Sequence, residues 1–206
     1  GTTMICENTT AAITFTGTTN ATVTYTVDTV TAQVTLDTSG NATVTTPSLS
    51  ANSTYDLVSI DSNGIPNCSQ TLVGSVVITI KALPTATISG TTTICAGATT
   101  TITFSGSPNA TVTYKIDNGA DQTITLDSTG AATLTTPALT ANSIYDLVSV
   151  ASNGTPNCSQ AQTGTAIVTV NQLPTASISG DTICSGTTGN VTFTGTPGAT
   201  VTYRIG

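Results

Sequence analysis

Apolar residues in this chain recur at every second position through short runs, and each run stops at a turn signal. Across residues 22–27, Val23, Tyr25 and Val27 share one face while Thr22, Thr24 and Thr26 share the other. That is the period-two pattern of a half-buried β-strand. The same pattern predicts strands near residues 11–16, 21–27, 32–37, 41–46, 54–60 and 73–81. The fifth and the last are more continuously apolar, as strands covered on both faces are. Asp37-Thr-Ser-Gly40, Asn63-Gly64, Asp127-Ser-Thr-Gly130 and Asn153-Gly154 separate the runs with residues that turn the chain.

The pattern also returns as a block. Gly1-Thr-Thr-Met-Ile-Cys6 comes back as Gly90-Thr-Thr-Thr-Ile-Cys95 and as Gly180-Asp-Thr-Ile-Cys184. Asn20-Ala-Thr-Val-Thr-Tyr25 returns at Asn109 to Tyr114, and Pro66-Asn-Cys-Ser-Gln70 at Pro156 to Gln160. A period of about 90 residues is too long for a solenoid coil and matches a whole small domain. The copies span residues 1–84, 85–174 and 175–206, with joints at Leu83-Pro84 and Leu173-Pro174. Proline holds such a joint extended and semi-rigid. A Pro-Thr-Ala-Thr/Ser-Ile-Ser lead-in, a seventh strand, opens copies two and three. Copy one lacks it and copy three stops after its second or third strand, so both ends are expected to be cut from a continuing array.

Seven short strands per copy, with turns every 8 to 12 residues, predict an all-β chain of tandem immunoglobulin-like sandwiches arranged end to end. Leu49 and Leu139 each stand six residues before a strand-opening tyrosine, Tyr55 and Tyr145. This spacing predicts a tyrosine corner at the crossover between sheets.

Composition narrows the chemistry. Of 206 residues only 6% are charged and 4% aromatic, histidine and tryptophan are absent, and 52 are threonine. Ten acids against three bases give a net charge of −7, which excludes the Lys/Arg footprint of a nucleic-acid binder. Without histidine the commonest general base and zinc ligand are both lacking, so no enzyme, metal or cofactor is expected. A mean hydropathy of +0.22 with abundant β-branched residues excludes a disordered chain. No apolar run approaches the roughly 18 residues of a membrane span, and no signal peptide is visible.

Five cysteines suit an oxidising, extracellular location. The odd count follows if each copy has two and the third stops before its second, leaving Cys184 with a partner beyond the chain end. The favoured pairing is Cys6–Cys68 and Cys95–Cys158 within copies, each closing a loop that stabilises its domain by roughly 4 kcal/mol. Cys6–Cys158, from one copy into the next, is the alternative; Cys68–Cys95 across the joint is permitted by number alone, but in an end-to-end array the extended strands between them, at roughly 3.3 Å per residue, separate those cysteines by several tens of ångströms. Asp28, Asp117, Asp121 and Asp127 cluster near one hairpin and offer oxygen ligands. The matching loop of copy one holds only Asp28, so these are expected to be solvated turn residues. All eight aromatics fall in repeated classes that alternate with outward threonine, which assigns them to the core rather than to a sugar platform. An ice-binding lattice asks for a flat, regular threonine array that a domain-length period does not supply.

The unit Leu-Pro-Thr-Ala-Thr/Ser-Ile-Ser-Gly, Ile-Cys, Ala-Thr-Val-Thr-Tyr, Asn-Ser-X-Tyr-Asp-Leu and Pro-Asn-Cys-Ser-Gln resembles tandem repeats of giant Bacteroidota cell-surface adhesins, the gliding-motility adhesins of flavobacteria above all. The likeness runs over the whole chain. It implies immunoglobulin-like or PKD-like repeats, type IX secretion and display at the cell surface as an outer-membrane-associated filament. The implied partners are neighbouring repeats, substratum polysaccharide and a surface motor complex, the last two through regions not present here. The triplets at Asp28, Asp127 and Asp181 resemble the Asp-Ser/Thr O-glycosylation motif of that phylum, which makes Thr29, Ser128 and Thr182 candidate sugar sites. The expected function is a structural stalk for adhesion and gliding, with Pro84 and Pro174 holding the domains in line. The alternative is a repeated polysaccharide-binding module using loops at one end of each sandwich.

Overall fold

Alternating threonine with Val, Ile or an aromatic gives each run one apolar face to bury, and the chain buries these faces between sheets. The computed structural model describes residues 2–205. Copy one contains β1 (Thr2–Cys6), β2 (Ala12–Thr16), β3 (Thr22–Val27), β4 (Val30–Thr35), β5 (Asn41–Thr45), β6 (Ser53–Asp61), β7 (Ser69–Thr71) and β8 (Ser75–Lys81). Copy two contains β9 (Ala86–Ser89), β10 (Thr92–Cys95), β11 (Thr101–Gly106), β12 (Thr111–Ile116), β13 (Gln122–Thr125), β14 (Ala131–Thr135), β15 (Ser143–Ala151), β16 (Ser159–Ala161) and β17 (Thr165–Asn171). β18 (Ala176–Gly180) and β19 (Val191–Gly195) follow. The described chain is all-β.

In copy two one sheet has the order β10-β17-β15-β12-β13, with β16 on β15, and a second has β14-β11-β9. Phe104 and Ile102 from the second sheet meet Val112, Tyr145 and Val168 from the first in one core. Copy one repeats the large sheet as β1-β8-β6-β3-β4 with β7 on β6, while β2 and β5 form a two-stranded sheet among the described residues. Its core gathers Ile13, Phe15, Val23, Tyr25, Leu36, Tyr55 and Ile78. The aromatic pair recurs in all three copies, Phe15–Tyr25 at 4.8 Å, Phe104–Tyr114 at 5.0 Å and Phe193–Tyr203 at 5.1 Å between ring centroids. Outward threonines meet across strands, as Thr22 and Thr35 do at 3.3 Å, adding cross-strand polar contacts on the solvent face.

Copy two has nine strands where seven were expected, and the two extra ones matter. β10, like β1 in copy one, runs parallel to the last strand of its copy, with Cys95 opposite Asn171 and Cys6 opposite Lys81. The short β16 and β7 extend the hairpin after β15 and β6. Thr-Thr-Ile-Cys has too few apolar positions to show a period, and a parallel partner lies at the far end of the copy's sequence. Neither feature leaves a local signal.

Tyr55 and Tyr145 are buried, and Leu49 and Leu139 pack on the same cores. Burial pushes the Tyr55 phenol above its ordinary range, with a hydrogen bond to Ser53 pulling the other way. The tie between this crossover and the last strand comes from an asparagine of the same motif. Asn52 Oδ1 accepts from Ile80 N and Asn142 Oδ1 from Val170 N, both at 2.7 Å.

Candidate functional site

The most elaborated contact in the molecule is the joint between copies one and two. Because β1 is parallel to β8, its last residue, Cys6, lies beside Lys81 at the end of copy one that faces copy two. In copy two, the loop between β15 and β16 returns at the facing end and carries Cys158. The two cysteines are joined by a disulfide with Cα atoms 5.5 Å apart, across a sequence separation of 152. Around it, Lys81 Nζ donates to Asn153 O and Pro156 O, each at 2.9 Å. Gln160 Nε2 donates to Pro84 O at 2.7 Å, and Leu83 N reaches Glu7 Oε2 at 3.4 Å. Thr85 N donates to Ser107 Oγ at 3.0 Å while Ser107 N donates back to Thr85 O at 2.9 Å. Pro84 itself is buried. The joint is therefore a covalent staple surrounded by hydrogen bonds that accept the ends of both copies.

This corrects the favoured cysteine pairing. Cys6 and Cys68 are not partners, nor are Cys95 and Cys158; Cys68, Cys95 and Cys184 are free and exposed. β6 runs antiparallel to β8, with Ser53 opposite Ile78 and Asp56 opposite Ser75. The chain leaving β6 at Asp61 therefore reaches Cys68 at the end of copy one away from Lys81. Cys6 is held at the Lys81 end, so a bridge within the copy would have to cross the length of the sheet, far beyond disulfide reach. The end-to-end separation invoked against a cross-joint bridge holds for Cys68 and Cys95, which lie at the outer ends of their copies. It does not hold for Cys6 and Cys158, which lie at the facing ones.

Both cysteine positions are set by local structure that recurs. Cys158 N donates to Ser152 Oγ at 3.1 Å and Ser152 N to Cys158 O at 2.7 Å. In copy one Cys68 N donates to Ser62 Oγ at 3.0 Å and Ser62 N to Cys68 O at 2.9 Å. The strand-end cysteines are followed by the same tight turn, Thr9 N to Cys6 O at 3.2 Å, Ala98 N to Cys95 O at 3.1 Å and Thr187 N to Cys184 O at 3.2 Å. The serine six residues before the loop cysteine was present in both copies of the sequence and is the signal that marks this loop as a built holder.

The acidic residues are more specific than solvated turns. Asp28 adopts φ 57° and its carboxylate accepts from Thr54 N at 2.8 Å and Ser53 Oγ at 3.2 Å. Asp117 does the same with Ile144 N at 2.7 Å and Ser143 Oγ at 3.0 Å. Each ties a hairpin turn to the start of the neighbouring long strand. Asp121 makes an exposed ion pair with Lys115 at 3.6 Å, a contact of little energetic weight. Asp127 accepts from Thr129 Oγ1 at 2.6 Å and from Thr129 N and Ala131 N, and these bonds hold its carboxyl below the usual range. Among the described residues no three His, Cys, Asp or Glu side chains converge as a metal site. Thr29, Ser128 and Thr182 are exposed, as is Pro174. Among the described residues no helix is long and apolar enough to cross a membrane.

A second feature is a groove of about 270 Å3 in copy one, between β2 and the β6–β8 sheet, with Ile13, Phe15, Tyr55, Leu57 and Gly74 among its walls.

No family model matches the chain, and no curated protein matches it. Among solved structures it is similar to one from a study of how a 1.5-MDa bacterial ice-binding adhesin is retained at the host cell surface. The TM-score is 0.44 at 18% identity, covering 89% of this chain and 66% of that one.

Proposed function

We propose that the chain is a structural segment of an extracellular adhesin-type filament, in which immunoglobulin-like sandwich repeats are stapled end to end and carry tension rather than catalyse a reaction. The observation that carries this reading is the Cys6–Cys158 disulfide, which links one copy to the next instead of closing either copy on itself. A staple placed at a joint fixes the alignment of two copies in addition to constraining the unfolded chain between them. Lys81, Gln160 and the buried Pro84 support the same reading, since all three restrict rotation between copies. A disulfide in this role requires an oxidising compartment, which favours the cell surface.

The resemblance of the repeat unit to gliding-motility adhesins of flavobacteria supports a finer version. In it the segment is the stalk of a type IX-secreted gliding adhesin, and grip on the substratum comes from other parts of the protein. Small-angle scattering of the purified chain, with and without reductant, tests the mechanical core. A rod that bends or shortens its maximum dimension on reduction supports the stalk. A compact, nearly spherical particle under oxidising conditions would remove it.

A further inference from the structure

The disulfide that staples copy one to copy two is unequal at its two ends. Cys158 is 1% exposed. Its N and O are both bonded to Ser152, and Pro156 O lies 3.9 Å from its sulfur. Cys6 is half-buried and closes β1, the outermost strand of its sheet. That edge position belongs to the repeat. In copy two, where the lead-in strand β9 pairs with β11 in the other sheet, β10 is outermost in the same way.

Lys81, one of three bases in the chain, stands opposite Cys6 on β8 and is half-buried. An ammonium has three N–H bonds, and this one gives two of them to Asn153 O and Pro156 O, each at 2.9 Å. Pro156 O therefore has the ammonium on one side and the Cys158 sulfur on another. No carboxylate neutralises the charge. Among the described residues the one ion pair is Lys115 with Asp121, and Glu7, next to Cys6, turns its carboxylate to Leu83 N at 3.4 Å. Nor does the fold of a copy ask for a cation here, since the residue opposite Cys95 is Asn171. The lysine is particular to this joint and lies beside its disulfide.

In thiol–disulfide exchange a thiolate attacks one sulfur while the other leaves with the electron pair. Access decides which sulfur is attacked, and the stability of the leaving thiolate helps set the rate. A thiolate shut away from water is costly, and a cation beside it offsets that cost. We propose that the joint is a directed thiol-exchange site, in which a low-molecular-weight thiol such as glutathione attacks Cys6 Sγ and Cys158 Sγ leaves as a thiolate beside the Lys81 ammonium. The new bond to Cys6 forms as the Cys6–Cys158 bond breaks, and the electron pair goes to Cys158. Cys6 then carries the mixed disulfide. A second thiolate removes the small thiol as its own oxidised disulfide, and the two freed cysteines take up protons from solvent. In the closing direction the Cys158 thiolate attacks the mixed disulfide at Cys6, expels the small thiol and restores the staple. Lys81 is a positioning residue, since it holds the loop of residues 153–156 against copy one and keeps its charge near the leaving sulfur. Cys6 is thus the modification site of a link that small thiols open and shut. The proposal rests on the joint geometry and is independent of where the protein works.

The test uses the full chain with Cys68→Ser, Cys95→Ser and Cys184→Ser, so that Cys6 and Cys158 alone remain. Reduced glutathione is added at graded concentrations, free thiols are trapped with N-ethylmaleimide at timed intervals, and peptide mass spectrometry locates the mixed disulfide. At the earliest times glutathione should be on Cys6 and the maleimide on Cys158. Lys81→Met should slow opening about threefold or more, and Lys81→Arg should restore most of the rate. A lysine that only braced the joint would give the opposite sign, because a loosened joint is attacked faster. Glutathione first on Cys158 or equally on both cysteines would overturn the proposal. So would Lys81→Met opening as fast as the parent or faster, or a slow Lys81→Met rate that Lys81→Arg does not restore. Each of these results leaves the stalk reading standing.

Discussion

Pulling the chain from its two ends should expose the staple directly. Cys6 and Cys158 are separated by 152 residues in sequence and by 5.5 Å between Cα atoms in the fold. At roughly 3.3–3.6 Å per extended residue, that segment could release on the order of 500–550 Å of chain. While the disulfide is intact none of this length is available, because force passes from Cys6 to Cys158 through the bond. Only the stretches before Cys6 and after Cys158 can lengthen. In an optical trap with handles at the termini, and with Cys68→Ser, Cys95→Ser and Cys184→Ser to remove competing thiols, the oxidised chain should show no extension from the interior of copies one and two. Adding reductant should release the full hidden length in unfolding steps. On the chain-entropy model a loop of this size also corresponds to about 5 kcal/mol of constraint on the unfolded state, so the reduced chain should melt at a lower temperature. Full extension of the oxidised chain would refute the reasoning. So would two hidden stretches of roughly 200 Å each, the signature of pairing within copies.

Three other outcomes follow from the cores and turns. Phe104→Ala should cost about 3–5 kcal/mol, and Phe15→Ala should fall at the low end of that range, because its groove is already open to solvent; calorimetry showing the reverse order would contradict the packing described. Gly130 has φ +82° and a Cβ there would lie 2.1 Å from Gly106 O, so Gly130→Ala should destabilise by about 2 kcal/mol or more, and an unchanged melting temperature would refute the turn geometry. Burial raises the phenols of Tyr55 and Tyr114 above their ordinary value. The folded state then holds protons that the unfolded state gives up near pH 10. Stability should be complete below about pH 10 and fall as pH rises beyond it, and a melting temperature that is flat to pH 12 would argue against the effect.

The alternation of threonine with Val, Ile and aromatic residues was enough to place most strands, because side-chain period is a local property of extended backbone. β3 and β12 fall within a residue of where the pattern puts them, and Asp37 and Asp127 turn the chain where the turn residues stand. The repeat and the inward place of Phe15, Phe104, Tyr25 and Tyr114 were legible for the same reason. The structural roles of Asn52, Asp28 and Ser152 were not, since each acts through a backbone group brought near by the fold. The cysteine pairing lay furthest from reach. It depends on which end of the sheet each loop leaves from, and so on strand direction. Period-two patterning carries no direction, and the decisive pairing of β1 with β8 is parallel between residues more than 70 positions apart. Only that pairing puts Cys6 beside Lys81, and only the antiparallel return of β6 sends Cys68 to the opposite end. By itself the sequence determined a threonine-faced β array with two cysteines per complete copy. The tertiary structure decided that the disulfide joins copies rather than closing them, because a bond a few ångströms long forms where chain ends meet in space.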